Sequence, residues 1–258
     1  MIIGAQLFSV RVNCQNDEDT KKTLKALKDM GYNSVQVSGI PYNAEAFRAM
    51  ADEIGLHIGL THTSPVDIIN DTDEVIRKHK VLGADVVGIG GLYGKYVVDG
   101  KIMVEDFIAE ATPALEKIKA AGLKFAFHNH HREFVDYGGY TVMDQIFEKT
   151  DWNFTLDTGW AHVAGVDVLE IIEKYKDRLQ YVHLKDFCFD KAEDGTVNHR
   201  IVPLYKGEVP VDAIIQKLID LGITQVAYVE QDNASDMEDP IGEMKTSIDG
   251  LKAHGWVK

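Results

Sequence analysis

Residues 122–134 read GLKFAFHNHHREF, and the order of their chemistry decides the fold. Gly122 stands where the helix-period segment Val104–Ala121 stops, a common helix terminator. A short apolar run follows, Lys124–Phe127, and then an abrupt polar tip, His128-Asn129-His130-His131, with Glu133 just beyond. Helix, glycine, apolar run and polar tip make one βα unit. A run that is apolar on consecutive positions suits a strand covered on both faces.

The unit recurs along the chain. The other apolar runs are Ile2–Leu7, Ser34–Val37, His57–Thr61, Asp85–Ile89, Asn153–Leu156, Leu179–Leu184 and Gln225–Val229. Between them lie amphipathic segments: Asp19–Met30, Asn43–Ile54, Asp71–Leu82, Thr141–Lys149, Val166–Tyr175, Val211–Leu221 and Asp239–Ala253. Asn16–Asp19 and Asp71–Asp73 offer N-caps, and Gly31, Gly55, Gly83 and Gly222 follow helices as Gly122 does. Alternating strands and helices imply a parallel sheet with right-handed crossovers. Eight of each close an α/β (β/α)8 TIM barrel. The rival, an open doubly wound sheet, expects G-x-G-x-x-G after the first strand, and the sequence has none there. No linker or low-complexity tract divides the chain, so residues 1–258 are expected to form a single domain. The one long connection is Asp186–Pro210, after the seventh strand.

Composition narrows the function. With 45% hydrophobic and 26% charged residues over 258 positions, the chain is an ordinary globule. Lys plus Arg is 27 and Asp plus Glu is 41, a net charge of −14, which repels a phosphate backbone and argues against nucleic acid. Cys14 and Cys188 make neither a disulfide framework nor a thiolate metal site. The N-terminus lacks a signal-peptide pattern, and the most apolar stretch, Val81–Leu92, is too short to span a bilayer. A soluble cytoplasmic protein with no membrane partner is expected.

In such a barrel, ligands gather at the C-terminal strand ends. The first four strands end near Gln6, Gln36 and Ser38, Thr61-His62-Thr63, and Gly90-Gly91. The last four read FAFH, FTLD, YVH and YVE, and so finish on His128, Asp157, His183 and Glu230. Neighbouring strands are ~4.8 Å apart, so these tips can converge. A mixed nitrogen and oxygen set suits a divalent metal, Mn2+ first, with Zn2+, Co2+, Fe2+ or Mg2+ behind it. One polar tip is uninformative, because polar residues begin every βα loop. Four in succession, all able to ligate, point to a metal site.

The motifs FAFHNHHREF (125–134), LDTGWAHVAG (156–165), YVHLKD (181–186), GEVPVDAII (207–215) and YVEQD (228–232) carry a resemblance. In this order they resemble the xylose isomerase-like barrel superfamily, which holds sugar isomerases, epimerases, inosose dehydratases and endonuclease IV. The resemblance implies metal ligands Glu, Asp, His and Glu on strands 5 to 8. Asp157, His183 and Glu230 match, but His128 stands where the family usually has Glu. Either His128 is the fourth ligand or Glu133 reaches back from the loop, with His128 preferred.

The implied activity is proton abstraction next to a carbonyl of a sugar or polyol, of the isomerase or epimerase type. The alternative is a lyase or dehydratase acting by β-elimination on a keto-sugar, keto-inositol or 3-keto-glycoside. Endonuclease IV-like repair and a non-catalytic subunit are more distant. Loss of one family Glu calls for a replacement base, from His130, His128 and Glu133, beside Glu230. His130 shares a strand face with His128 by period two. Lys185, two residues after His183, is expected to bind substrate or stabilise an enolate. Trp160 is a candidate to stack on a sugar, His162 a hydroxyl partner, and His62 a substrate contact. Arg200, Lys206 and His199 in the long connection could bind an anion, although a solvated loop is the simpler account. His57, His79 and His254 are expected to be structural. So few residues lie outside the eight units that a homo-oligomer, or a complex with a second subunit, is expected to complete the site.

Overall fold

The computed structural model describes residues 2–192, 195, 197–223 and 226–257. Eight parallel strands close a barrel in chain order. They are β1 (Ile2–Gln6), β2 (Ser34–Val37), β3 (His57–His62), β4 (Val86–Ile89), β5 (Lys124–His128), β6 (Asn153–Asp157), β7 (Leu179–Leu184) and β8 (Val226–Val229). The barrel shuts where β1 pairs β8, with Ala5 opposite Val229. Gln225, expected to open the eighth strand, lies outside the described residues.

Helices α1 (Asp17–Met30), α2 (Ala44–Ile54), α3 (Thr72–Leu82), α4 (Val104–Ala120), α5 (Val142–Lys149), α6 (Val168–Tyr175), α7 (Val211–Asp220) and α8 (Pro240–Ala253) surround it. Asn16 caps α1 by accepting from Asp19 N–H at 3.0 Å. Asp71 precedes α3 but makes no side-chain cap bond there. Among the described residues, no helix is long and apolar enough to cross a membrane.

Two layers of inward side chains define the interior. The lower layer is Leu60, Val86, Ala126, Tyr181, Val226 and Tyr228, all buried. The Tyr228 ring fills space that neighbouring residues must vacate. A Cβ on Gly4 would lie 2.5 Å from it, and one on Gly59 would lie 2.3 Å from its hydroxyl oxygen. Tyr181 donates to the Gly59 carbonyl at 3.1 Å. This floor is tightly packed. Two residues further along β3, β5, β7 and β8 the inward positions are His62, His128, His183 and Glu230, so the chemistry starts directly above the floor.

Several details depart from the sequence expectation. Leu7 leaves β1 and starts a 3₁₀ segment, Leu7–Asn13. Short helices appear at Pro65–Asn70 and Thr158–Val163. The connection Asp186–Pro210 is not a plain loop: Asp186–Lys191 and Val197–Val202 form an antiparallel hairpin. Asp186 anchors its base, accepting from Gly207 N–H at 2.9 Å and Val209 N–H at 3.0 Å. The expected structural histidines are away from the barrel mouth. His79 is buried in α3 between the Val75 carbonyl and Thr61 Oγ1. His57 meets Ser34 at the strand start, and His254 stacks on Tyr205.

Candidate metal centre

His128, Asp157, His183 and Glu230 come together at the C-terminal mouth of the barrel. One ligand atom from each lies within 4.8 Å of all the others, and all four residues are buried. Neighbours aim three of them, Asp157, His183 and Glu230. Asp157 ends β6 and caps the helix Thr158–Val163, so its Oδ1 accepts from Trp160 N–H at 2.8 Å. That leaves Oδ2 for the centre. Asn129 locks β5 to β6 reciprocally: its Nδ2 donates to the Asp157 carbonyl at 3.1 Å, and its Oδ1 accepts from Asp157 N–H at 2.9 Å. Gln6 donates from Nε2 to Glu230 Oε1 at 2.7 Å.

The His183 tautomer carries the test of fit. Gln36 Oε1 lies 2.7 Å from His183 Nε2. An amide oxygen only accepts, so Nε2 bears the proton and Nδ1 presents a lone pair. That lone pair lies 2.6 Å from Glu230 Oε2. Yet His183 Nδ1 and both ring nitrogens of His128 have no hydrogen-bonded partner, and Asp157 Oδ2 and Glu230 Oε2 face the Lys185 ammonium. The contact is close but lacks hydrogen-bond geometry. Buried lone pairs converging without a proton between them are costly unless a cation sits among them. The donor set therefore fits a divalent metal, by chemistry and by its orphaned atoms.

Lys185 already supplies one positive charge here. Its Nζ is 2.8 Å from Asp157 Oδ2, 3.2 Å from Glu230 Oε2 and 2.9 Å from Asp232 Oδ2, although the side chain is only 1% exposed. Burial pulls its pKa down, but Asp157, Asp232 and Glu230 outweigh that and raise it. Burial likewise works against ionised Glu230, but the Lys185 ammonium beside it holds its carboxyl well below the usual range. For Asp232 burial wins over Lys185, and its pKa is pushed up to about 7. Burial, helped by neighbouring imidazoles, pulls His62 and His128 well down and His130 to about 2.

A chamber of about 380 Å3 opens over the cluster, and His62, His128, His130, Lys185, Glu230 and Asp232 are among its walls. Its position is that of a barrel active site. Three expected site residues stand elsewhere. Glu133 turns away from the cluster: Oε2 accepts from His130 N–H at 2.8 Å and Oε1 from Arg132 Nε at 3.3 Å. It braces the His131–Phe134 turn, and burial raises its pKa. Trp160 forms a wall behind the chamber, its ring 5.3 Å from Lys185 Nζ and 4.9 Å from Phe187. His162 packs on Phe189 of the hairpin. His199, from the same hairpin, reaches Trp160 and His131, whereas Arg200 faces Asp190. Sequence reading passed over Asp232, Asn129 and the aiming role of Gln36. The period-two rule that singled out Lys185 after His183 also reaches Asp232 after Glu230.

Fold and site thus define a (β/α)8 barrel with a metal-capable cluster at its ligand-binding end. A family model described as xylose isomerase-like TIM barrel matches residues 24–254, and the chain belongs to that family. Inosose dehydratase of Salmonella typhimurium (strain LT2) is 34% identical over 123 residues, 44% of this chain and 40% of that protein. Inosose dehydratase of Clostridium perfringens (strain 13) is 27% identical over 143 residues, 48% of each. The matched region spans less than half the length of these curated relatives. A crystal structure of a sugar phosphate isomerase/epimerase from Parabacteroides distasonis superposes with a TM-score of 0.79 at 23% identity, covering 99% of both chains. That likeness concerns the fold.

Proposed function

We propose that the protein is a metal-dependent lyase of the dehydratase kind, which removes a proton beside a carbonyl of a sugar or polyol and expels the oxygen on the next carbon. The observation that carries this is the asymmetry of the chamber walls. Glu230 stands on the β8 side with Oε1 committed to Gln6, whereas the β5 side offers imidazoles, His128 and His130. His130 Nδ1 has no partner, and Nε2 has only the Tyr93 hydroxyl at 3.5 Å. Epimerisation needs a second acid on the opposite face of the carbon. Elimination does not, because one imidazole can take the proton from carbon and return it to the departing oxygen on the same face. The inosose dehydratase relatives favour the same choice.

A divalent cation bound by His128, Asp157, His183 and Glu230, with Mn2+ the first to try, supplies Lewis-acid chemistry for the substrate carbonyl. The chain's own groups do the rest. Burial keeps His130 neutral, so a ring lone pair is available. Lys185 stays protonated and faces the oxygen on which negative charge grows. His62 and Asp232 line the chamber as partners for hydroxyls. Isomerisation or epimerisation of a sugar, the first expectation from the sequence, shares the proton abstraction and differs in where the proton is returned.

The test is to incubate metal-loaded protein with keto-inositols and 3-keto-glucosides in deuterated water and follow them by NMR. A product lacking the β-oxygen is expected. Deuterium entry with the β-oxygen retained would replace the lyase by an isomerase or epimerase. His130→Asn should retain metal and lose about 10²–10⁴-fold in turnover. Equal loss of metal would make His130 a ligand instead.

A further inference from the structure

Beside the metal chamber lies a second cavity of about 470 Å3, between the loops after β3 and β4. The two share His62, Gly90 and Tyr93. Each is within the size of a small-molecule site, about 300–1,000 Å3. Their chemistry differs. The inner chamber has His128, His130, Lys185, Glu230 and Asp232 in its walls, whereas the outer one is lined by Pro65, Val66, Tyr93 and Tyr96, with Thr63, Ser64 and Lys95 at its polar positions.

Tyr93 stands at the junction. Its hydroxyl is 3.5 Å from His130 Nε2, and the Arg132 guanidinium lies 4.7 Å from its ring. The Arg132 contact fixes the ring from one side, and Arg132 also donates to the Leu92 carbonyl. Val66 and Tyr93 remain 56% and 57% exposed, so large apolar surface faces the cavity. The wall that the two cavities share is held to glycine at its base. A Cβ on Gly90 would lie 2.9 Å from His62 Nδ1, and Gly91 has φ +145° with its Cβ position 3.1 Å from the Tyr93 hydroxyl.

A bare polyol carries hydroxyls all round its ring and offers such a wall only its C–H faces. An apolar group attached to the polyol does. We infer that the outer cavity is a subsite for an apolar ring carried on the substrate, so that the substrate is an aryl-substituted keto-polyol, such as a keto-glycoside with an aryl aglycone. The inference rests on the elimination proposed above. The step then balances simply: the proton passes from carbon to His130, its electron pair forms the new C=C, and the C–O bond breaks toward the aryl oxygen. That oxygen leaves as the phenol with the proton His130 returns, and no oxidant is consumed.

The probes are 2-naphthol, phenyl β-glucoside and methyl β-glucoside, titrated calorimetrically into metal-loaded protein. We expect 2-naphthol to bind and phenyl β-glucoside to bind about tenfold or more tightly than the methyl compound. Val66→Asp, a change at an exposed helix position, should abolish naphthol binding and cancel the difference between the glucosides. Tyr93→Ser should reduce both effects. Equal affinity of the two glucosides, or naphthol binding indifferent to Val66→Asp, overturns the subsite. So does a change from dimer to monomer in Val66→Asp by sedimentation, because the face would then be covered by a second copy. Naphthol binding that survives while no keto-polyol is turned over strikes the lyase proposal and leaves the subsite standing.

Discussion

The two halves of the barrel mouth are built on the same strand geometry and carry different chemistry. Strands β5–β8 end in four residues whose lone pairs point at one spot. Strands β1–β4 end in Gln6, Gln36, His62 and Gly90, which hold, face or make room. Gln6 holds Glu230 and Gln36 sets the His183 tautomer. One half can grip a cation, and the other aims the grip and shares a wall with the outer cavity. Inward position alone therefore does not make a ligand. What matters is convergence: among the described residues one ligand atom from each of these four lies within 4.8 Å of the others, whereas His62 Nε2, equally without a partner, stands outside the set.

That contrast can be broken most forcefully at His183. His183→Ala should abolish metal retention, measured by elemental analysis, together with turnover. Retained metal would move the centre elsewhere. Next is Lys185→Met. Removing the ammonium leaves Asp157, Glu230 and Asp232 facing one another, so the metal-free protein should lose about 3–5 kcal/mol of stability in a denaturant titration. Turnover should fall about 10²–10³-fold. An unchanged midpoint would reduce Lys185 to a bystander. Gln36→Leu tests the aiming half: metal affinity by calorimetry should drop about 10–100-fold with the four ligands intact. If affinity holds, the supposed division between halves disappears.

The smallest effect belongs to a control far from the mouth. Asp144 closes the capping box of α5 by accepting from the N–H of the N-cap Thr141, and although burial opposes it, Lys174, Thr141 and Tyr175 hold its pKa down to about 2. A depressed carboxyl stabilises above its unfolded pKa of about 3.9 and loses that contribution as pH falls toward 2. With Lys174 half exposed, the gain is on the order of 1 kcal/mol. Asp144→Asn should lower the melting temperature at pH 7 slightly, with the difference vanishing near pH 2 and turnover unmoved.

Much of the fold and of the metal cluster is legible in the sequence for a definable reason. Barrel strands are buried on both faces, so each appears as an unbroken apolar run with a polar stop, and the stop marks the mouth. The hairpin Asp186–Lys191/Val197–Val202 escapes that reading because its strands are half exposed and carry no such run. Glu133 looks like a ligand from chain proximity, which says nothing of the turn that bends its carboxylate back to the His130 N–H. Asn129 and Gln36 stay hidden because an amide pinning a strand end or an imidazole leaves no periodic trace. Their roles depend on partners 28 and 147 residues away.

Lys185 bears on assembly as well as on chemistry. Its ammonium touches the two carboxylate oxygens that a metal ion would also use. It is a tethered counter-ion, present from the moment the chain leaves the ribosome. The barrel can therefore close without waiting for a metal, and loading becomes an exchange at a finished pocket. Stripping the ion should leave a folded, rechargeable protein, and metal scarcity would then set how much of the pool is active while the pool itself persists.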